Sequence, residues 1–257
     1  MRALLPEGAA RNVSTVTTAW LTERLYAYPG APATLVKVHA SWSVFFDHCT
    51  RVRGLFPVNP MAAVEKPDVR RGPIQFFELE AVKQIVERQP DPARRALIAL
   101  LYGTGTEISV ALRVTRADVD PATKEIRASG TKTYTRDRMA RVADWAWPIF
   151  WSYAKDHLPT ARLWRATLTR FTVSDWHRAT VKALELPPYP MKNARHHWAV
   201  RMLRNGAPIH VVQAQLGHSS AKLTLDTYGV FVPRADDRAR AEAQVTRAEA
   251  ERAVALA

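Results

Sequence analysis

The sequence predicts a mainly α protein in two parts: a small helical N-terminal domain and a larger, mostly helical C-terminal domain with a small antiparallel β-sheet. Three observations carry that expectation. Apolar residues recur at helical spacing along most of the chain. A seam, PDVRRGP at residues 67–73, has proline at both ends, a glycine and two arginines, and no apolar periodicity. Only two short segments, KEIRAS and RMARVADW, read as strands, on either side of the turn-rich TKTYTRD. The expected boundaries are 1–66 for the first domain, 67–73 for the linker and 74–257 for the second, closed by a helix at about 234–256.

In the first domain, STVTTAWLTERLYAY begins with a hydroxyl cap and continues at helical spacing. PATLVKVHASWSVFFDHCTRV sets Leu35, Val38, Trp42, Phe45 and Phe46 on one stripe. NPMAAV is expected as a short third helix. Beyond the seam, LEAVKQIVERQ reads as a helix, and ARRALIALLYGTG as another that Gly103 and Gly105 end. TEISVALRV restarts a helix, and WAWPIFWSYAKDHL and TVSDWHRATVKALEL supply two more. KNARHHWAVRMLRNG stops at Gly206 and IHVVQAQLG at Gly217, and LTLDTYG carries Tyr228. The Ala-rich, charged end of the chain favours a helix that docks or frays.

Composition narrows the function. In 257 residues, 37 Lys and Arg face 24 Asp and Glu, a net charge of +13. Such a field favours a polyanion, of which nucleic acid is the commonest. One cysteine, Cys49, excludes an internal disulfide and fits a reducing compartment. No segment approaches the roughly 18 apolar residues of a membrane span. The apolar run in MRALLPEGAARN is too short for a signal peptide. One Cys and scattered His lack the spacing of a zinc site. A cytoplasmic, nucleoid-associated protein with neither metal nor cofactor is expected.

The most specific signal is ARHHWAVRMLRNGAPIHVVQAQLGHSSAKLTLDTYG, residues 194–229. Arg195 and His196 open a helix, Leu216-Gly217-His218 forms a turn, and Tyr228 follows His218 by ten residues. This series resembles the C-terminal signature of the tyrosine recombinases, or phage integrases, and in spelling is most like integrases of actinobacterial phages. The resemblance implies a helical core-binding domain joined to a catalytic domain, the two closing on duplex DNA. It also implies cutting of one strand by tyrosine attack, with a 3′-phosphotyrosine and a free 5′-hydroxyl, and no metal or ATP. Family members act as tetramers; a specific double-stranded DNA site, a homotetramer on DNA and a free monomer are therefore expected. In these roles Tyr228 is the nucleophile, Arg195 offers a planar fork to phosphate oxygens, and His218 donates to the phosphate. Read singly, each residue has a duller explanation: a DNA-facing arginine, a helix-ending histidine, a core aromatic.

Upstream, GTGTEISVALRVTRADVD resembles the family's first catalytic box at Thr104, Gly105, Ile108, Ser109, Asp118, Val119 and Asp120. The first catalytic arginine position, however, is Glu107, and the acid after it is Val110. Thr104-x-x-Glu107 reads locally as a capping box. Glu107 is otherwise expected to pair with Arg195 or Lys192. Arg113 and Arg116 lie roughly 240° and 180° around a helix from position 107 and replace the missing cation poorly. In SGTKTYTRDR, Lys132 matches the family's lysine, which protonates the 5′-oxygen. Arg136 and Arg138 are expected to contact the DNA backbone, as are Lys37, Arg51, Arg53, Arg70 and Arg71. Lys192 stands three residues before Arg195, where the family usually has histidine; related type IB topoisomerases also have lysine there. Its duller reading is a solvated helix-start lysine. Three functions compete: an integrase; a degenerate relative that binds DNA as repressor or accessory subunit, because of Glu107; and a type IB topoisomerase, which the motif spelling disfavours.

Overall fold

The structure is a computed structural model that describes residues 16–69, 72–129 and 137–233. As the sequence predicts, it is mainly helical with one small antiparallel sheet. Residues Arg70, Arg71, Lys132 and Arg136 and the expected terminal helix at 234–256 lie outside the described residues. The chain falls into two compact units, 1–73 and 74–257.

The first unit holds α1 (Thr18–Tyr26) and α2 (Pro32–Arg51). The Thr17 hydroxyl accepts from the Trp20 amide and caps α1, satisfying one of the amides that a helix start leaves without an intrahelical partner. Leu21 and Leu25 of α1 pack on Trp42 and Phe46 of α2, with Met61 and Val64 completing the core. The expected third helix is absent. Residues 59–64 form turns instead: the Asn59 carboxamide accepts from the Met61 amide at 2.9 Å and donates to the Ser43 carbonyl at 3.1 Å. An Asn side chain that bonds the amide two residues on closes an Asx turn, an alternative to continuing as helix.

The second unit is built around α4 (Pro92–Thr104), buried from Ala96 to Thr104. It packs on α3 (Leu79–Glu87), α6 (Trp147–Ala154) and α8 (Ala194–Arg204). Asp91 caps α4, its carboxylate accepting from the Arg94 amide at 2.9 Å. Gly103 lies inside α4 rather than ending it, and Gly105 alone adopts the left-handed cap. The next helix, α5 (Ile108–Ala111), is a single turn. β1 (Val119–Asp120), β2 (Glu125–Ala128) and β3 (Arg138–Arg141) form the sheet in that order, with Ile126 opposite both Val119 and Ala140. α7 (Arg170–Ala183), α9 (Ile209–Leu216) and α10 (Ala221–Tyr228) complete the unit. No helix among the described residues is long and apolar enough to cross a membrane.

Two expectations about the first box need correction. Thr104 does not cap the helix at Glu107. It is the last residue of α4, and its hydroxyl bonds to the Leu100 carbonyl and to Thr106. Glu107 is itself the N-cap of α5 and makes no side-chain capping bond. The sequence pattern was satisfied by a helix end, because Gly105 turns the chain before a new helix can start. The angles assigned to Arg113 and Arg116 also fail, since α5 stops at Ala111. Arg113 donates to the Ser129 carbonyl at 2.6 Å, and Arg116 donates to the Val119 carbonyl while its guanidinium lies over Trp151.

Candidate active site

The site is assembled on α8. A 3-10 turn, Met191–Asn193, leads into this helix. Asn193 donates to the Gln75 carbonyl at 2.8 Å, His197 Nδ1 lies 2.6 Å from the Phe77 carbonyl, and Arg204 pairs with Glu78. These bonds and the burial of Trp198, Ala199, Val200 and Leu203 fix the helix's rotation. Arg195 and His196, in its first turn, are half-buried.

Gly105 brings the end of α4 against α8. Its φ is +66°, and a Cβ there would lie 3.0 Å from the Trp198 Cβ. Only glycine meets both conditions without strain. Across this contact Arg195 Nη1 donates to the Gly105 carbonyl at 3.3 Å, and its Nη2 donates to the Leu216 carbonyl. The following residues, Thr106 to Ser109, form one wall of a cavity of about 360 Å³, and Lys192 and Arg195 form the other. Glu107 therefore shares a cavity with both cations that the sequence assigns to the phosphate.

α9 ends at Leu216, and Gly217 turns the chain with φ +66°. His218 follows. Its Nδ1 lies 2.8 Å from the buried Thr224 hydroxyl, and its ring stacks at 6.5 Å on Tyr228. Ser220 caps α10, and Tyr228 is the last residue of that helix. The Tyr228 hydroxyl lies 2.8 Å from His196 Nδ1. The phenol is only 1% exposed. Burial pushes its pKa up to about 12, against a lowering pull from Arg195. Burial likewise holds His218 down to about 4, helped by Arg195 and Arg138 and opposed by Glu107. His196 is lowered by burial and by Lys192 and Arg195. Both imidazoles are thus neutral near pH 7.

The structure brings together Glu107, Arg138, Lys192, Arg195, His218 and Tyr228. Lys192 is exposed, on the 3-10 turn rather than on the helix itself. Lys37, Arg51 and Arg53 are exposed on and just after α2 in the first unit, with Arg51 paired to Asp47 at 2.8 Å. Three site residues were not legible as such: His196 against the tyrosine, Thr224 against His218, and Arg138 against the Gly217 turn. His196 had a signal in the Arg-His pair. Thr224 depends on the tight turn between His218 and α10, and Arg138 on long-range packing against the end of α9. Among the described residues, no cluster of His, Cys, Asp or Glu could hold a metal ion.

Comparison with known proteins agrees with this geometry. The family model described as "Phage integrase family" matches residues 74–229. A tyrosine recombinase of Thermosipho africanus is 24% identical over 214 residues, 79% of this chain and 72% of the relative. Tyrosine recombinase XerC of Roseiflexus sp. is 26% identical over 234 residues, 80% of this chain and 69% of the relative. The Tn1549 transposon integrase, solved with a circular intermediate DNA, superposes with a TM-score of 0.74 at 17% identity, covering 95% of this chain and 90% of that one. A lambda integrase dimer on a COC′ core site gives 0.70 at 18% identity, over 86% and 85%. With a family match over more than half its length and a tyrosine, arginine and histidine gathered at one site, the chain belongs to the phage integrase family of site-specific tyrosine recombinases.

Proposed function

We propose that Tyr228 attacks a phosphodiester of duplex DNA, with Arg195 and His218 holding the phosphate. The observation that carries this reading is the Tyr228 hydroxyl, 2.8 Å from neutral His196 and stacked on a His218 that Arg195 influences. The phenolic oxygen forms a bond to phosphorus, and its proton passes to His196, whose neutral nitrogen can accept it. The P–O5′ bond breaks, and the leaving oxygen takes a proton from Lys132. The product is a 3′-phosphotyrosyl link and a free 5′-hydroxyl. Attack by a 5′-hydroxyl of another strand reverses the step and exchanges strands. Arg195 offers paired N–H donors to the non-bridging oxygens, where charge develops in the transition state. Thr224 donating to Nδ1 of His218 leaves the imidazole proton on Nε2, the tautomer that can donate to the phosphate. Lys192 adds a cation. Because Tyr228 is buried, α10 shifts when DNA enters the site.

The exposed cations Lys37, Arg51 and Arg53, together with Arg70, Arg71 and Arg136, contact the DNA backbone. They position the duplex without reading its sequence. On DNA the protein acts as a homotetramer, a reading supported by the lambda integrase solved as a tetramer on a Holliday junction, and it is a monomer when free.

One observation favours a second reading, DNA binding without efficient cleavage. Glu107 lines the same cavity as Arg195 and Lys192, and a carboxylate near a phosphate is repulsive. A single assay separates the two. Nicked duplexes with randomised cores are incubated with the protein, and covalent adducts are sought on a denaturing gel. Adduct formation identifies a recombinase; retarded DNA without adduct identifies a repressor or accessory subunit.

A further inference from the structure

We infer that Arg138 is a second phosphate-binding guanidinium of the cleavage site, reaching in from β3 to take the place that Glu107 leaves without an arginine. The inference rests on the reading above, in which a phosphate lies beside Arg195 and His218.

Four observations converge on it. First, Arg138 Nε donates to the Gln215 carbonyl, and Arg195 Nη2 donates to the Leu216 carbonyl. The two guanidiniums thus hang from consecutive carbonyls at the C-terminus of α9. The last carbonyls of a helix lack intrahelical partners and carry its negative dipole end, so they tolerate two like charges side by side. Second, the turn is shaped around Arg138. A Cβ on Gly217 would fall 2.9 Å from Arg138 Nη1, so glycine here serves both the left-handed turn and the room for the guanidinium. Third, His218 senses Arg195, Arg138 and Glu107 at once, which sets all three charges around the imidazole assigned to the phosphate. Fourth, the other arginines by the first box and its cavity engage other groups: Arg113 the Ser129 carbonyl, Arg116 the Val119 carbonyl and Trp151, and Arg170 the Phe171 ring.

The chemistry fits. Phosphoryl transfer spreads negative charge over non-bridging oxygens, and two planar forks bind those oxygens better than one. Glu107 on its own would lower the positive charge of the site by one. Arg138 restores it. The anchor through Nε fixes the plane of the guanidinium before substrate arrives, and such preorganisation is what lowers a transition-state barrier.

The test uses single-turnover cleavage by the full chain, at saturating DNA, of a nicked duplex enriched from the randomised pool. Arg138→Ala is expected to cleave about 10²–10³-fold more slowly, and Arg138→Lys to recover part of that loss. Duplex affinity should change only as for one phosphate contact, read as a change of roughly one in the log–log salt slope. A methylphosphonate at the scissile position removes one negative oxygen, and on it the gap between wild type and Arg138→Ala should shrink by at least about tenfold. Arg138→Gln keeps a donor for the Gln215 carbonyl and decides the matter if the Ala variant does not fold. If Arg138→Ala or Arg138→Gln cleaves at the wild-type rate with only affinity reduced, Arg138 is a backbone contact and the inference falls, while the nucleophile assignment stands. If the wild type forms no adduct, both fall.

Discussion

At the scale of single residues, under the proposed chemistry, Glu107 is the residue expected to limit how strongly this chain cuts DNA. It sits in one cavity with Arg195 and Lys192, so its carboxylate would repel a phosphate bound there. Glu107→Arg should raise the single-turnover cleavage rate. If Arg138 supplies the second guanidinium, as inferred above, the expected gain is roughly tenfold rather than the ~10²–10³ of a wholly missing clamp. The capping-box argument implied a stability cost for that change, but Glu107 makes no capping bond, and thermal melting should shift little. A wild type that cleaves as fast as the Arg variant would show that position 107 does not act on the phosphate. Two histidines away from the chemistry carry a second expectation. His177 bonds to the Tyr102 hydroxyl and His197 to the Phe77 carbonyl, and burial lowers both from 6.5 to about 4. Their other ring nitrogens are buried without partners. The unfolded chain therefore takes up these protons as pH falls through 6.5, whereas the folded chain does so only near 4. Stability should drop across that window, by at most about 1.4 kcal/mol per pH unit for each histidine. Denaturant midpoints measured from pH 7 to 4 check this, and a flat profile would mean that the two rings are protonated when folded.

At the scale of elements, the site depends on two left-handed glycine turns at helix ends. Gly105 closes α4 onto α8, and Gly217 closes α9 beside His218. Gly105→Ala forces a Cβ into a positive φ and against Trp198. It should cost about 1–3 kcal/mol and lower cleavage as well, because Arg195 is anchored on the Gly105 carbonyl. Urea denaturation and single-turnover cleavage read the two effects; an unchanged midpoint would contradict the packing described. Most elements were legible. Periodicity gave α1, α2 and the helices from α3 to α9, because amphipathic stripes report which face is buried, whereas α10 was not read as a helix. What failed was local chemistry that two structures can share. Thr104-x-x-Glu107 spells a cap, yet Gly105 between them makes Thr104 a helix end. NPMAAV has helical composition, yet the Asn59 side chain accepts from the Met61 amide and closes a turn. TEISVALRV has the right pattern for a helix, but only Ile108–Ala111 forms one.

At the scale of the whole molecule, the +13 charge and the gathered site belong to one function, since a basic protein meets duplex DNA first through its phosphates. The tyrosine, the arginine, the histidine turn and Lys192 were readable because their spacing in sequence is short and fixed. Arg138 was read only as a backbone contact, because its place at the Gly217 turn depends on β3 packing against α9, 77 residues away from Gln215. The central claim is that Tyr228 is the residue that joins DNA. The most direct measurement is to trap the adduct on the nicked duplex, digest it, and map the nucleotide-bearing peptide in parallel with Tyr228→Phe. The account predicts the nucleotide on Tyr228, no adduct from the Phe variant, and nearly unchanged duplex binding by that variant. An adduct that persists in Tyr228→Phe, or that maps to another residue, would contradict it.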